Sequence, residues 1–155
     1  MKGFGTRQRN RHHPTARYTT LPMPPTPAPR TSSGERSPRI AVIGAGMSGL
    51  LAGIKLAEAG LTNFTIFEKA RDVGGTWREN RYPGLTCDVP SLLYSYSFDL
   101  GTEWTRRYPA GPEIQAYFRR IAEKHGLLER IRFGTEIVEA VRDGNVWRLR
   151  TADGT

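Results

Sequence analysis

Hydrophobic and polar positions along the chain follow two different periods, and together these predict an α/β fold. Residues 40–43 form a continuous apolar run, which is typical of a parallel strand covered on both faces. The segment 47–60 predicts a helix ended by its last glycine, because apolar residues recur there at helical spacing: Leu50, Ile54 and Ala57. Residues 63–68 predict a second strand, and the three elements together make one βαβ unit.

Residues 70–111 show no regular period and are rich in Gly, Pro, Trp and Tyr, so they predict a long loop. A loop longer than a connection requires is usually functional. Pro112 suits the first turn of a following helix, whose apolar face would consist of Ile114, Phe118 and Ile121. His125 lies near the C-terminal end of that helix, and we interpret it as a cation at the negative end of the helix dipole rather than a catalyst.

The remaining pattern predicts a third strand at residues 131–133 and a hairpin. The hairpin pairs residues 137–141 with 146–150 through the turn Asp143-Gly144-Asn145. A doubly wound sheet binds its ligand between the first strand and the strand placed on its other side. These residues supply only the first three strands, so we expect the chain to be the front part of a larger protein.

The net charge of +8 is concentrated at the start of the chain. Residues 1–38 hold one Lys, six Arg and one Glu, and also seven of the eleven prolines. We therefore expect a disordered, basic, Pro-rich leader over 1–38 and a partial folded domain over 39–155. A basic arm that binds RNA or anionic lipid is the alternative for the leader, but it has only two aromatic residues and no amphipathic helix. We expect no nucleic-acid partner.

The sequence contains neither the apolar core of a signal peptide nor a run of about 20 apolar residues that could cross a membrane. Its single cysteine, Cys87, excludes an intrachain disulfide. We therefore expect a cytoplasmic protein without a membrane partner, and we expect no metal site.

Three glycines follow the first strand in the spacing Gly44-x-Gly46-x-x-Gly49. The first permits a tight turn, the second lets a pyrophosphate approach, and the third lets helix and strand pack closely. Free N–H groups and the helix dipole would then face the anion. This spacing arises by chance and can serve packing alone, but here it follows a strand, opens a helix and precedes Glu68 at a strand end. The fold class is therefore a truncated Rossmann-like FAD/NAD(P)-binding domain, with the hairpin as the start of a β-meander.

Glu68 narrows the choice of nucleotide. Its carboxylate would accept hydrogen bonds from both ribose hydroxyls and repel a 2′-phosphate, so the turn should hold the adenosine of FAD or NAD and not of NADP. Ser48 would add a hydroxyl near the phosphates, or it is a simple first-turn residue.

Four short motifs follow Glu68 in order: GGTW at 74–77, NRYPG at 80–84, CD at 87–88 and YSYSF at 94–98. With this loop the chain resembles the class B flavoprotein monooxygenases, most closely the type I Baeyer–Villiger monooxygenases. The resemblance covers residues 39–155 and excludes the leader.

The resemblance implies FAD on the glycine turn and NADPH as the second cofactor. It implies that three residues line the flavin side of the loop: Thr76, Trp77 and Arg78. Asp88 and Tyr94 would approach the flavin ring, and Ile137 would contact the adenine. The nicotinamide cofactor would contact Thr86, Cys87 and Asp88. Asp88 is the candidate catalytic residue, because it would position an arginine of a later segment.

The loop residues also allow interpretations without the resemblance. Paired glycines let a backbone approach a planar ring, and a buried aspartate beside that ring could hydrogen-bond it. Trp77 and Tyr94 would be flat apolar walls, or ordinary core aromatics. Cys87 is interpreted as a small buried apolar residue rather than a nucleophile.

The function implied is that of the FAD-binding portion of a monooxygenase, in which NADPH reduces FAD and O2 forms a C4a-peroxyflavin. Its substrate would be a small molecule: a ketone into which oxygen is inserted. The alternatives are oxidation of nitrogen or sulfur in the substrate, and an inactive nucleotide-binding fragment.

Overall fold

The computed structural model describes residues 37–101 and 103–154. The predicted leader lies outside the described residues, apart from its last two positions. The regular elements along the chain are β1 (Ile40–Ile43), α1 (Met47–Glu58), β2 (Phe64–Phe67), α2 (Thr76–Glu79), α3 (Gly111–Lys124), a 3-10 turn (Leu128–Arg130), β3 (Ile131–Arg132), β4 (Ile137–Asp143) and β5 (Val146–Thr151).

The first three strands form a parallel sheet in the order β1-β2-β3. Ile40 lies opposite Phe64 and Ile66 lies opposite Ile131, so β2 is the central strand of the three. This arrangement confirms the predicted α/β class and βαβ unit. Parallel strands end at the same edge of a sheet, and this edge is where the glycine turn and Glu68 follow β1 and β2.

Helix α1 packs on β1, β2 and α3 through Leu50, Gly53 and Ile54, which are buried. It ends in a Schellman motif: Gly60 has φ +75° and donates its N–H to the carbonyl of Ala57. Leu61 donates its N–H to the carbonyl of Leu56, as that motif requires. The predicted stop at Gly60 is therefore confirmed. Of the three apolar residues at helical spacing, Leu50 and Ile54 are buried, whereas Ala57 is exposed near the end of the helix.

Helix α3 provides much of the core. The predicted apolar face is confirmed, and its three members are buried together with Tyr117: Ile114, Phe118 and Ile121. A fully buried side chain of this size stabilises a fold by about 1.5–3 kcal/mol relative to an exposed one. His125 is the C-cap of α3, as its predicted helix-end position requires.

The side chains of strand β1 are less buried than the sequence predicts. Its side chains alternate between half-buried and exposed, and Ile43 is 58% exposed. The expectation that β1 is covered on both faces is therefore wrong within the described residues, where helix α1 packs on it and Ile43 projects to the exposed side.

The predicted hairpin is confirmed as β4 and β5, which pair antiparallel and place Asp143 opposite Val146. Its side chains are largely exposed, including Trp147 at 65%. Within the ranges that the structure describes, no helix combines the length and the apolar character needed to cross a lipid bilayer.

Candidate functional site

The glycine turn connects β1 to α1 with each glycine in a different conformation. Gly44 has φ +92°, which favours glycine, and it donates its N–H to the carbonyl of Phe67 at 2.7 Å. Gly46 is the N-cap of α1. Gly49 lies against the turn so closely that a Cβ there would be 1.8 Å from the carbonyl oxygen of Gly44. The turn and close-packing roles predicted for the first and third glycines agree with this geometry.

Glu68 follows β2, and its side chain points at the turn. The residue is only 4% exposed. One carboxylate oxygen, Oε2, accepts the N–H of Ala45 at 2.7 Å, and Oε1 accepts the N–H of Ala70 at 2.9 Å. The N–H groups of Gly44 and Ala45 are therefore engaged within the protein, by Phe67 and Glu68, and are not among the free N–H groups expected to face the anion. The carboxylate keeps further acceptor capacity, since each oxygen has two lone pairs.

The first turn of α1 carries the donors that an anion needs. Its N–H groups at residues 47–49 have no intrahelical acceptor, as at any helix N-terminus. No side chain caps the helix and no acidic residue occupies its first turn, and the negative side chain at this end is that of Glu68, which bonds to the N–H of Ala45 just before the N-cap. Ser48 lies in this turn and is exposed.

A second glycine pair packs directly on the turn. Gly74 donates its N–H to the carbonyl of Ala45 at 3.1 Å. A Cβ on Gly75 would lie 3.1 Å from Cα of Gly46, and Gly75 has φ +54°. Sequence reasoning assigned these glycines to the approach of a planar ring, but the backbone that they approach in the structure is that of the first turn.

A cavity of about 290 Å³ opens beside the turn. It is lined by Gly44, Gly46 and Glu68 from the turn, and by Ile137 from the start of β4. The structure thus brings together four of the predicted site residues. Seven further residues line the cavity and were not predicted as site residues: Ile43, Phe67, Lys69, Gly75, Glu79, Thr135 and Glu136. Among these, only Gly75 could have been found from the sequence, because it belongs to the GGTW motif.

The predicted flavin-side residues lie on α2 and the loop that follows it. Trp77 donates its Nε1–H to the hydroxyl of Tyr94 at 2.9 Å, and the two rings meet edge to face at 5.6 Å. Both are half-buried and pack against the core, so each has a core role as well as an accessible side. Thr76 is exposed, and Arg78 pairs through Nη2 with Glu79 at 3.0 Å.

The segment 86–88 lies apart from the cavity. Thr86 pairs with Ala110 in a short bridge, and Cys87 is 3% exposed, as predicted for a small buried residue. Asp88 is exposed in the described residues, so the expectation of a buried aspartate is wrong. Successive side chains of an extended segment point to opposite sides, so Asp88 points outward where Cys87 points into the core.

Comparison with known proteins places this geometry in a family. Residues 42–121 match the family model described as an NAD(P)-binding Rossmann-like domain, and that stretch includes the glycine turn, Glu68 and the long loop.

The chain is also similar to named monooxygenases. It is 58% identical over 120 residues to an uncharacterized monooxygenase of Mycobacterium tuberculosis, and the aligned stretch covers 77% of this chain and 24% of that protein. It is 44% identical over 119 residues to a Baeyer–Villiger monooxygenase of Streptomyces coelicolor, covering 76% of this chain and 23% of the relative. The predicted resemblance to Baeyer–Villiger monooxygenases is thereby confirmed.

A solved structure has the same fold. The structure of an oxidized steroid monooxygenase bound to NADP superposes with a TM-score of 0.71 at 41% identity, covering 76% of this chain and 23% of that one. The chain therefore spans about a quarter of the length of the relatives that it matches.

Proposed function

The chain belongs to the family of NAD(P)-binding Rossmann-like domains, and from this membership we propose that it is the N-terminal FAD-binding portion of an FAD- and NADPH-dependent monooxygenase of the Baeyer–Villiger type. The relatives named as monooxygenases support the reaction class. The substrate in this proposal is a ketone, and O2 is the oxidant.

The observation that carries the proposal is the convergence of three groups on one cavity. The carboxylate of Glu68, the backbone of Gly44 to Gly46 and the uncapped N-terminus of α1 all lie at the edge of the sheet where β1 and β2 end. A dinucleotide needs those features together: donors for its pyrophosphate and an acceptor for its ribose hydroxyls.

The acidic residue selects the nucleotide in this proposal. Glu68 would accept hydrogen bonds from the 2′- and 3′-hydroxyls, and its negative charge would repel a 2′-phosphate. The adenosine half of FAD fits this requirement, whereas that of NADPH does not. NADPH would therefore bind elsewhere in the whole enzyme, with its nicotinamide end near residues 86–88.

The protein's own residues would hold and orient the flavin. Ile137 would contact the adenine, while Thr76, Trp77 and Arg78 would face the ring system. Helix α2 carries these last three residues and has Gly75 as its N-cap, and because Gly75 packs on the turn, backbone contact would join the two halves of the flavin site.

Bound FAD would supply the redox chemistry, taking a hydride from NADPH and passing two electrons to O2. One oxygen atom enters the substrate and the other leaves as water. Asp88 remains the proposed positioning group for an arginine of the whole enzyme, and its exposed side chain is accessible to such a partner. Tyr94, fixed by the N–H of Trp77, would present the second flat surface to the ring.

The nucleotide assignment can be tested on Glu68→Gln by calorimetric titration with ADP and with 2′-phosphorylated ADP. The wild type should bind ADP at least tenfold more tightly than the 2′-phosphorylated probe. The variant loses the charge that repels a 2′-phosphate, and its NH2 group replaces one of the two oxygens that accept backbone N–H groups, so this preference should shrink to about threefold or less. An affinity ratio does not depend on how much protein is folded. Equal binding of the two probes by the wild type, or binding of neither, would refute the assignment.

The reaction class requires the whole enzyme. We expect the reading frame expressed at the relatives' length to consume NADPH in proportion to O2 when a cyclic ketone is added, with formation of a lactone. Oxidation of an organic sulfide without any lactone would favour the sulfur-oxidising alternative. Absence of oxygen-dependent NADPH consumption with either substrate would refute the proposed function.

A further inference from the structure

Tyr96 connects the long loop to the helix of the glycine turn. Its side chain is buried, with 4% of the residue exposed. The hydroxyl donates a hydrogen bond to the carbonyl of Met47 at 2.5 Å, across 49 residues of sequence. Met47 is the first residue of α1, so this contact reaches the first turn of the helix, directly after Gly46, which lines the cavity.

The other side of Tyr96 is fixed within its own loop. Its backbone N–H donates to the hydroxyl of Tyr117 at 2.9 Å, and that hydroxyl donates to the carbonyl of Asp99 at 2.6 Å. The Tyr96 ring also packs against Tyr117 and Phe118, with ring centroids 6.1 and 5.9 Å away. Tyr96 is thus anchored to α3, the helix that contributes much of the buried core.

The hydroxyl remains a donor at physiological pH. Burial raises the pKa of Tyr96 well above its ordinary value, and the neighbouring Tyr117 adds to this effect. Only the protonated hydroxyl can donate to a carbonyl, so the bond to Met47 persists wherever the protein is folded at neutral pH.

The start of α1 is thus held from two directions. On one side, Glu68 accepts the N–H of Ala45, and Gly74 donates to the carbonyl of the same residue. On the other side, Tyr96 holds the carbonyl of Met47. No side-chain cap fixes this end of the helix, so these contacts set the direction of its first N–H groups.

We propose that Tyr96 is a positioning residue of the dinucleotide site, acting through the carbonyl of Met47 to aim the first turn of α1 at the pyrophosphate. This inference rests on the proposed function, since it needs a phosphate-bearing ligand at the turn. It adds a residue from the YSYSF motif that makes no contact with the cavity.

Tyr96→Phe tests the proposal, because it removes the hydroxyl and keeps the ring. The control is Tyr117→Phe, which removes the hydroxyl that accepts the Tyr96 backbone N–H but keeps the Tyr96 hydroxyl that contacts Met47, so it separates loop anchoring from the contact to α1. The full chain is titrated calorimetrically with ADP at a temperature where thermal melts show all three proteins to be folded. We expect about five- to tenfold weaker ADP binding for Tyr96→Phe and a change of less than twofold for Tyr117→Phe.

Amide hydrogen exchange gives a second measurement that needs no ligand. Exchange at Leu50, whose N–H bonds to the carbonyl of Gly46 in the first turn, should accelerate several-fold in Tyr96→Phe relative to Tyr117→Phe. ADP affinity within twofold of wild type, together with unchanged exchange at this amide, would overturn the role of Tyr96 while leaving the proposed function intact. If the wild-type chain itself did not bind ADP, the proposed function would fail, and this role would fail with it.

Discussion

Two alanine substitutions in the glycine turn should separate folding from binding. Gly49→Ala places a Cβ 1.8 Å from the carbonyl oxygen of Gly44. Ordinary carbon–oxygen contacts are about 3.3 Å or longer, so the two groups would have to separate by about 1.5 Å. Both are attached to backbone, one in α1 and one in the turn, and neither can relax by rotating a side chain.

The expected cost of Gly49→Ala follows from this displacement. Overpacking costs about 1–3 kcal/mol, and a backbone clash belongs at the upper end of that range. Replacing glycine by alanine within a helix returns about 1 kcal/mol. The net loss in the free energy of unfolding is therefore about 2 kcal/mol, which corresponds to a fall in melting temperature of roughly 8 °C for a folded part of this size.

Gly46→Ala should behave in the opposite way. Gly46 has φ −80° and ψ −170°, which alanine adopts readily, and its Cβ would lie 3.5 Å from Cα of Gly75, an ordinary contact. Stability should fall by about 0.5–1 kcal/mol, less than for Gly49→Ala, since alanine is a poorer N-cap than glycine. The new methyl group would occupy the surface that a pyrophosphate approaches, and ADP affinity should fall about tenfold or more.

Thermal melts followed by circular dichroism and ADP titrations of both variants measure these effects. Gly49→Ala with wild-type stability would show that the turn can relax, and the close-packing argument would be wrong. Gly46→Ala with wild-type ADP affinity would show that the phosphates do not approach this glycine.

Two further predictions concern the core and the surface. Ile114→Val removes one methylene from a fully buried side chain on α3 and should lower the free energy of unfolding, measured in urea, by about 1 kcal/mol. Leu93→Ala changes a side chain that is 75% exposed and should alter the same free energy by no more than about 0.5 kcal/mol. Equal effects of the two substitutions would contradict the assigned core. The hydrogen bond from Lys124 holds the pKa of Asp99 below its ordinary value. The pair therefore stabilises the folded state above about pH 4, and this stabilisation is lost as the pH falls through the lowered pKa of the folded state. Asp99→Asn should therefore flatten the decline in melting temperature between about pH 5 and pH 3, and an unchanged decline would show that the pair makes no contribution.

The parts of the fold that could be predicted are those with a local signal. Apolar periodicity predicts β1, α1, β2 and α3. Gly60 predicts the end of α1, because glycine tolerates the positive φ found there. The spacing of the glycines and the acidic residue at the end of β2 gave the turn and the direction of Glu68. Each of these depends on neighbouring residues in the sequence, or on the general rule that parallel strands end at one edge.

The parts that could not be predicted depend on how the loop 70–111 folds back. No periodicity indicates that the Tyr96 hydroxyl reaches the carbonyl of Met47, or that Gly75 packs on Gly46. The same loop places Cys87 inward and Asp88 outward, which the motif alone does not specify. Val42, which is half-buried, and Ile43, which is 58% exposed, have the same apolar character in sequence, so their different surroundings become visible only in three dimensions.

The contact between Gly46 and Gly75 has a consequence for protein engineering. A Cβ on Gly75 would lie 3.1 Å from Cα of Gly46 and would need a strained positive φ, so the first segment depends on a second segment that carries glycine at this position. A chimera that imports the strand–turn–helix of residues 40–58 from a relative should also import residues 74–79. The two segments should therefore be exchanged together, although more than a dozen residues of sequence separate them.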